Sequence, residues 1–431
     1  MTRERKASGG HRVDVDVLIV GAGPAGLAAA TELRRLGVGR VLVVDRELEA
    51  GGVPRHSAHT GYGLRDLHRM MTGPAYARHY ADAAAGSGAE IKVAATVTGW
   101  ARDRVATLTS PGGMQTVAAR AVLLATGCRE RPRPARLIPG DRPAGIMTTG
   151  ELQQRVYLGG ERLPGRALIV GAEHVSFSAM VTLAHAGAHV IALVTDRRAQ
   201  QSYAAFALAA AAAWRVPVWT STAVRRVAGR GRLTAVELAD LRTGATRFVE
   251  CDTLVFTGDW IPDHELARLA GTAMDIGTRG PAVDTGLQTS VPNVFAAGNL
   301  VHAAETADVA ALDGSHAARH IAAALSDDHR RPAGQPCGLP LSPPVPVTVT
   351  SPLAWISPNL IRAASALPPR GRFLLRSEIF RRRARLEVRQ GDRVLARERA
   401  RLIPGRPVHL SADWLAQVRP SDGPVLVAEE H

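Results

Sequence analysis

The chain has 431 residues, of which 46% are hydrophobic and 21% are charged. At roughly 100–200 residues per domain, this length predicts two or three domains with an ample core, and the composition excludes disorder, collagen and coiled coil for most of the chain. The net charge is +14, from 53 basic and 39 acidic residues, but aromatic residues make up only 4%. Because the basic residues are also mostly scattered, the sequence argues against a nucleic-acid partner.

No targeting or membrane-spanning segment is expected. The longest apolar stretch, residues 204–214, is shorter than the roughly 20 apolar residues needed to cross a bilayer. Residues 1–13 are predicted to be a disordered basic tail without a secretory signal. Cys128, Cys251 and Cys337 lie far apart and form no CxxC motif. They predict neither a disulfide framework nor a zinc or iron–sulfur ligand set, and they indicate a cytoplasmic location.

A strand–helix–strand unit follows the tail. The apolar run 15–20 is predicted to be a buried strand, 24–36 a helix and 40–44 a second strand. Further apolar strands are predicted at 121–125, 167–170, 190–194 and 254–257. Residues 168–194 repeat the strand–helix–strand pattern, so the chain carries two copies of one motif.

The composition changes near the carboxyl end. Prolines crowd the chain from 335, and a linker is predicted at 331–346. Beyond it, residues 385–389 alternate in polarity and 391–392 offer a tight turn, which predicts a hairpin. Residues 347–431 are therefore predicted to form a small, mostly β domain.

The first chemical motif is the sequence GAGPAG at residues 21–26, after the first strand and at the start of the helix. Gly21 allows the tight turn, Gly23 lets the backbone approach a pyrophosphate, and Gly26 lets the helix pack close to the sheet. The helix N-terminus adds unpaired N–H groups and a positive dipole end. Asp45 ends the second strand, where its carboxylate would accept hydrogen bonds from an adenosine ribose.

Three separated motifs resemble those of the two-dinucleotide-binding-domain flavoproteins, the superfamily of thioredoxin reductase and the pyridine nucleotide-disulfide oxidoreductases. The motifs are the segments 21–26, 125–127 and 294–299. Three further segments are similar to the FAD-binding α subunits of bacterial opine, sarcosine and hydrogen cyanide-forming amine dehydrogenases: 51–56, 258–262 and 305–308. The resemblance covers residues 14–330.

The resemblance implies an α/β fold with two Rossmann-like three-layer domains. An FAD-binding domain is expected at 14–150 and 276–330, with an NAD(P)-binding-like domain inserted at 151–275. FAD would bind noncovalently in an extended pose. The residues expected to hold it are Gly21, Gly23, Pro24, Ala25, Gly26, Asp45, Arg46, Thr126, Gly127, Gly298, Asn299, Thr306 and Ala307.

A helix is predicted at 306–325 from its apolar 3–4 spacing, with Thr306 as its N-cap. In the superfamily this helix points its amino end at the flavin pyrimidine ring, where the positive dipole would stabilise the charge formed on reduction. An ordinary amphipathic surface helix is the alternative. Family members usually carry aspartate where this chain has Asn299, which can still accept a hydroxyl hydrogen bond but adds no charge.

The second glycine turn departs from the nucleotide-binding pattern. Gly171 keeps the first glycine, whereas Glu173 and Ser176 replace the second and third. The Glu173 carboxylate would lie where the backbone meets a pyrophosphate, and the like charges would repel. Glu173 therefore disfavours NAD(P)H. Arg197 and Arg198, after the next strand, are suited to a 2′-phosphate and keep NADPH binding open as an alternative.

Dithiol chemistry is excluded, because the two stretches where reductases of this superfamily carry their redox cysteines, 52–57 and 146–150, contain none. Catalytic candidates therefore come from loops that the resemblance places near the flavin. The four catalytic candidates are His56 and His59 as bases, Arg55 as a carboxylate ligand, and Glu305. For each of them, a purely structural contact within the loop is the alternative.

The leading hypothesis is an FAD-dependent oxidoreductase that dehydrogenates or oxidises a small amine, amino acid or related donor, with hydride transfer to flavin N5. One alternative is an NAD(P)H-dependent flavin reductase-type enzyme. Another is a non-catalytic FAD-binding electron-transfer subunit of a multi-subunit dehydrogenase. The expected partners are a small-molecule substrate and either a partner subunit or a second copy of the chain, with no nucleic acid and no membrane span.

Overall fold

The structure is a computed structural model that describes residues 12–204, 215–329, 343–362 and 366–430. Its α-helices are α1 (Pro24–Arg35), α2 (Gly73–Gly86), α3 (Thr149–Gln153), α4 (His174–His185), α5 (Glu265–Leu269) and α6 (Ala307–His329). Its strands before α6 are β1 (Arg12–Val20), β2 (Val41–Val44), β3 (Thr60–Tyr62), β4 (Met71–Thr72), β5 (Glu90–Lys92), β6 (Thr96–Arg102), β7 (Val105–Ser110), β8 (Gly113–Leu124), β9 (Cys128–Glu130), β10 (Ile146–Thr148), β11 (Gly165–Val170), β12 (Ala188–Val194), β13 (Val218–Trp219), β14 (Thr222–Ala228), β15 (Ala235–Asp240), β16 (Thr246–Glu250), β17 (Thr253–Phe256), β18 (Trp260–Pro262) and β19 (Val294–Ala296). Its strands after α6 are β20 (Val345–Val349), β21 (Leu353–Ser357), β22 (Leu360–Ile361), β23 (Arg372–Ser377), β24 (Arg381–Gln390), β25 (Arg393–Leu402), β26 (Val408–Ser411) and β27 (Val425–Glu429).

Five parallel strands carry the first sheet, in the order β5, β2, β1, β8 and β19. Strands β7 and β6 extend the sheet as an antiparallel pair from the amino-terminal half of β8. Residues 17–20 of β1 and all of β2 are buried. Strands buried on both faces read as continuous apolar runs, which is why the sequence predicts them.

Helices α1 and α6 cross closely beside this sheet. A Cβ atom at Gly314 would lie only 1.9 Å from the backbone oxygen of Ala25, so glycine is required for this approach. Ala317 and Ile321 of α6 then join the same hydrophobic core as Leu27 of α1. The crossing places the amino-terminal turn of α1 against residue 314, about two turns into α6.

The second sheet is parallel throughout, in the order β10, β17, β11, β12 and β13. The predicted repeat is present in it as β11, α4 and β12. An antiparallel sheet of β14, β15 and β16 shares a core with it that includes Leu168, Val227 and Leu254. Strands β9 and β18 pair in the two segments that connect the sheets.

The segment after residue 343 forms two packed β-sheets. One has the order β22, β20, β27, β24 and β25, and the other has the order β21, β23 and β26. Their shared core includes Phe373, Leu386 and Val427, and Trp414 stacks on Phe373 with ring centroids 5.1 Å apart. Strands β24 and β25 are the predicted hairpin. The predicted class, α/β with two Rossmann-like units and a small β-rich part, is confirmed.

Two predicted boundaries near the chain ends are wrong. The predicted tail 1–13 runs too far, because Arg12 and Val13 already pair with β8, and residues 1–11 lie outside the described residues. The predicted linker 331–346 also runs too far, because β20 begins at Val345. Residues 330–342, which hold most of that linker, lie outside the described residues.

Both predicted junctions between the nucleotide-binding domains also need correction. Strand β10 belongs to the second sheet, so the first segment ends before residue 150. Ala267 of α5 is buried in the core of the first sheet and Leu266 packs against that core, so the chain returns to it before residue 276. Apolar patterns did not mark these junctions because short strands and helices lie on both sides of them. The division into domains itself stays a prediction.

Candidate flavin site

The predicted nucleotide-binding residues converge at one edge of the first sheet. Parallel strands β1, β2, β8 and β19 all end there, and each is followed by one of the predicted segments. Backbone hydrogen bonds join those ends: Gly21 donates to Val44, Ala125 donates to Val20, and Ala297 donates to Leu124. The carboxyl edge of a parallel sheet is where ligands bind in open α/β folds.

The glycine turn fits a dinucleotide diphosphate. A Cβ atom at Gly26 would lie 1.9 Å from the Gly21 oxygen, and one at Gly21 would lie 2.3 Å from the Ala125 oxygen. These two glycines therefore permit close packing of backbone on backbone. A Cβ atom at Gly23, in contrast, would meet no described atom within 4 Å. The backbone of Gly23 thus faces open space at the N-terminus of α1, as a diphosphate-binding turn requires.

The side chain of Asp45 is held against this turn. Its carboxylate accepts hydrogen bonds from the backbone N–H of Ala22, at 2.6 Å, and of Glu47, at 2.9 Å. Arg46 points instead to Asp263, 3.4 Å away. Asp45 is therefore positioned for the predicted ribose contact, whereas the guanidinium of Arg46 pairs with a residue of the returning segment.

The turn at 125–127 is tied to the same returning segment. The Thr126 hydroxyl donates to the backbone oxygen of Asp263 at 2.7 Å, and Asp263 donates back to the Gly127 oxygen at 2.9 Å. Gly127 has φ of +74° and open space at its Cβ position. Burial and nearby carboxylates raise the pKa of the following Cys128, which holds this thiol in its protonated form.

The segment from Gly298 to α6 is fixed by Asn299. The Asn299 amide donates to the Glu305 oxygen at 3.1 Å and accepts from the Glu305 N–H at 2.7 Å. Gly298, with φ of +69°, approaches α1 so closely that its Cβ atom would lie 3.0 Å from that of Ala25. Asn299 thus shapes the loop that leads into α6, a role that its sequence position did not indicate.

The amino-terminal turn of α6 is arranged differently from the prediction. The Thr306 hydroxyl donates to the Asp308 carboxylate, so it does not cap a helix N–H. Asp308, with a side chain 2% exposed, accepts from the Val309 N–H and pairs with Arg65 at 3.3 Å. Ala307 begins the helix as predicted, but the helix continues to His329. Sequence reasoning missed both Arg65 and Asp308, although Asp308 lies in the similar segment 305–308.

The catalytic candidates on the glycine-rich loop lie in different surroundings. Arg55 donates to the Glu49 oxygen at 2.6 Å and lies 3.6 Å from its carboxylate. His56 is buried, and burial, followed by the charge of Arg55, lowers its pKa to about 4. His59 is half-buried and its Nδ1 lies 2.7 Å from the Thr60 oxygen. His56 is therefore neutral near pH 7, and the lowered pKa also makes it a weaker base than an exposed histidine.

Glu305, the fourth catalytic candidate, contacts a different part of the chain from the three candidates on the glycine-rich loop. Its carboxylate lies 2.7 Å from a guanidinium nitrogen of Arg376 on β23, and both side chains are less than 10% exposed. Arg376 also donates to the Ala304 oxygen at 2.7 Å. No local sequence signal could have found this partner, because it lies 71 residues further along the chain.

The second glycine turn is filled by its own side chain. The Glu173 carboxylate accepts hydrogen bonds from the Ala172 N–H at 3.0 Å and from the Thr257 hydroxyl at 2.5 Å. A Cβ atom at Gly258 would lie 2.7 Å from this carboxylate. The Glu173 carboxylate therefore takes one backbone N–H of this turn and places a negative charge beside it, which disfavours a nucleotide phosphate.

The two arginines predicted for a 2′-phosphate contact the carboxyl-terminal β-sheets. Arg197 donates to the Glu378 oxygen at 3.3 Å, and Arg198 donates to the Phe380 oxygen at 3.0 Å. Their sequence position did indicate a cationic pair after β12. It could not show that backbone carbonyls from another part of the chain accept their hydrogen bonds.

The structure contains a buried carboxylate on β9 that the sequence did not indicate. Glu130 on β9 is 8% exposed and accepts from the Gly150 N–H at 2.8 Å. Burial raises its pKa to about 7. A group with this pKa can hold or release a proton near neutrality, but nothing in the sequence around it marks a buried acid.

Residues 15–314 match the pyridine nucleotide-disulphide oxidoreductase family. The chain belongs to this family. The match spans 300 of its 431 residues, and the resemblance inferred from the motifs is confirmed. The family and the relatives below are FAD-dependent oxidoreductases, which confirms the predicted enzyme class.

Two curated relatives and one solved structure are similar to the chain. It is 30% identical to the alpha subunit of sarcosine oxidase from Corynebacterium sp. (strain P-1) over 372 residues, which cover 81% of this chain and 36% of the relative. It is 33% identical to an opine oxidase subunit of Agrobacterium tumefaciens (strain Ach5) over 171 residues, covering 36% of this chain and 32% of the relative. The match thus spans about a third of each of these relatives.

The solved structure supports the fold alone. The thioredoxin reductase of T. acidophilum superposes with a TM-score of 0.61 at 24% identity, covering 72% of this chain and 98% of that one. Among the described residues, no helix combines the length and the apolarity that a bilayer crossing demands. The predicted cytoplasmic location stays a prediction.

Proposed function

We propose that the chain dehydrogenates or oxidises a small amine, an amino acid or a related donor, with FAD as its cofactor and without NAD(P)H as electron source. The observation that carries this proposal is the Glu173 carboxylate, which accepts from the Ala172 N–H and the Thr257 hydroxyl and places a negative charge at the second glycine turn. The names of the sarcosine and opine oxidase relatives support the same donor class.

The first glycine turn supplies the proposed cofactor site. Gly21, Gly23 and Gly26 would hold the diphosphate with the N-terminus of α1, which starts with Pro24 and Ala25. Asp45 would hold the adenosine ribose. Around them, Arg46, Thr126, Gly127, Gly298, Asn299, Thr306 and Ala307 would complete the site. When bound, FAD supplies the hydride acceptor.

In this proposal, the loop histidines accept the proton that leaves the donor. His56 is buried and neutral, and its Nδ1 atom has no hydrogen-bond partner in the described structure, so this nitrogen is available to accept a proton from an amine or hydroxyl group, although the lowered pKa weakens it as a base. His59, less buried, is the second base candidate. Arg55 and Glu305 already contact Glu49 and Arg376, so they would act by positioning the loops unless the substrate displaces those partners.

A second candidate function is that of an FAD-binding subunit within a larger amine-oxidising assembly. Both curated relatives are named as subunits, and the matches span about a third of their lengths. The substrate-oxidising groups would then come partly from a partner chain. Size-exclusion chromatography beside co-purification tests this, since a stable partner would elute with the chain.

Anaerobic mixing of the FAD-loaded protein tests the main proposal. We expect sarcosine or another small amino acid to bleach the flavin absorbance, and NADPH to leave it unchanged on the same time scale. Alanine at both His56 and His59 should keep the flavin spectrum but slow the bleaching. Rapid bleaching by NADPH and none by amines would contradict the proposal.

A further inference from the structure

A cavity of about 210 Å³ lies where three parts of the chain meet. The amino-terminal turn of α6 lines one side with Glu305 and Val309, and the loop after β3 adds Arg65. The carboxyl-terminal β-sheets line the opposite side. None of the residues predicted to hold FAD lines this cavity, so it is separate from the glycine turn.

The cavity walls are strongly cationic. Five arginines line it, Arg65, Arg370, Arg372, Arg401 and Arg406, against a single acidic residue, Glu305. That glutamate is already paired with Arg376, which is not part of the lining. Arg65 is paired with Asp308 and Arg370 with Asp313, both on α6.

The other three lining arginines form no ion pair within the described part of the chain, although the charge of Glu305 still acts on Arg372. Arg372 and Arg401 form no ion pair there, and Arg406 donates only to the backbone oxygens of Gln201 and Ser202. The segments 205–214, 330–342 and 363–365, which lie outside the described residues, contain no aspartate or glutamate. These internal segments therefore hold no carboxylate side chain for the three arginines.

The surroundings of the lining arginines also favour an anion in this cavity. The buried Nε atoms of Arg370 and Arg372 have no hydrogen-bond partner in the described structure. Burial, and then the charges of Arg370 and Arg65, lower the pKa of Arg372. Desolvation, followed by the charge of Arg372, lowers the pKa of His409 to about 4, although its ring stays partly exposed. A bound anion would stabilise the half-buried, positively charged Arg372 among these cationic neighbours.

We propose that this cavity binds a small dicarboxylate. Arginine forks bind carboxylates in bidentate geometry. Arg372 on β23 and Arg401 on β25, which form no ion pair in the described part of the chain, lie on strands of different sheets. In this proposal each of these two arginines takes one of the two carboxylates. Resting on the proposed function, we further assign dicarboxylic amino acids as the donor class, because the cavity adjoins the amino end of α6.

Calorimetric titration of the full-length chain with succinate tests the site without any redox step. At constant ionic strength, we expect Arg372→Gln to weaken succinate binding about tenfold or more, through loss of a charge-assisted contact. Arg225→Gln, a control at an exposed position outside the cavity, should leave it unchanged. Equal binding of acetate and succinate, or no effect of Arg372→Gln, would overturn the site.

Flavin bleaching separates the donor assignment from the proposed function. We expect aspartate or glutamate to bleach the flavin at lower concentration than glycine or alanine, and Arg372→Gln to raise KM for the dicarboxylic donors only. Bleaching by monocarboxylic donors alone would overturn the donor assignment while leaving the proposed function intact. Succinate binding without bleaching by any amine would contradict the proposed function but uphold the site.

Discussion

Glu173 decides how the second nucleotide-binding unit is understood. Its carboxylate is bound by the turn's own N–H and by Thr257, so a nucleotide phosphate would have to displace it and then meet its negative charge. Like charges about 4 Å apart repel by roughly 4 kcal/mol at an effective dielectric constant of 20. The turn keeps its place between β11 and α4 but carries a negative charge of its own.

Replacing this side chain should restore part of the lost site. In Glu173→Gly, the Ala172 N–H and the Thr257 hydroxyl are released, so we expect NADPH to bind about tenfold more tightly or better than to the unmodified chain. Fluorescence titration of NADPH measures this. Glu173→Gln, which removes the charge but keeps the bulk, should gain less.

Tight NADPH binding without any substitution at Glu173 would contradict this role of its carboxylate. Micromolar NADPH binding by the unmodified chain would show that the Glu173 carboxylate moves aside readily. The NAD(P)H-dependent alternative would then become the better account of the second sheet.

At the scale of elements, α6 is the best-anchored helix of the candidate site. Arginines from other parts of the chain pair with acidic groups at its amino end: Arg65 with Asp308, Arg370 with Asp313, and Arg376 with Glu305. Asp313 also lies 2.5 Å from the Nε2 atom of His302. The helix therefore links the loop after β3 to the carboxyl-terminal β-sheets.

The Glu305–Arg376 pair should be the strongest single link between α6 and β23. Arg376→Met leaves a buried carboxylate without its cation, which costs about 3–5 kcal/mol in comparable buried pairs. We expect a lower urea midpoint, measured by far-ultraviolet circular dichroism.

A double variant and a surface control complete this test. Adding Glu305→Leu to Arg376→Met should recover much of the lost stability, because no unpaired charge remains. Arg12→Met breaks the exposed pair with Asp14 and should change stability by about 1 kcal/mol at most. An unchanged midpoint in Arg376→Met would refute the linking role.

The sequence predicted the elements whose signal is local. Strands β1 and β2 and helix α1 were found within a few residues, because buried parallel strands and a glycine turn leave continuous patterns. The small antiparallel sheet of β14–β16 was not found, since its short strands alternate weakly. The partners of Glu305 and Arg197 could not be found at all, because those contacts join segments 71 and 181 residues apart.

At the scale of the whole molecule, the carboxyl-terminal β-sheets contact both nucleotide-binding units. They contact the first unit through Arg376 and through Arg362, which lies 2.8 Å from Asp284. They contact the second unit through the carbonyls that accept from Arg197 and Arg198. The cationic cavity lies at this junction, so the proposed ligand would contact residues of all three parts of the chain.

The proposed function depends on FAD binding at the first glycine turn, and a substitution at Gly23 tests this binding most directly. An added Cβ at Gly23 meets no described atom within 4 Å, so Gly23→Ala should fold normally yet obstruct the diphosphate. We predict that the purified chain carries flavin absorbance with one FAD per chain, and that Gly23→Ala has the same far-ultraviolet circular dichroism but no bound flavin. A colourless unmodified chain that stays colourless after incubation with FAD, or full FAD content in Gly23→Ala, would contradict the account.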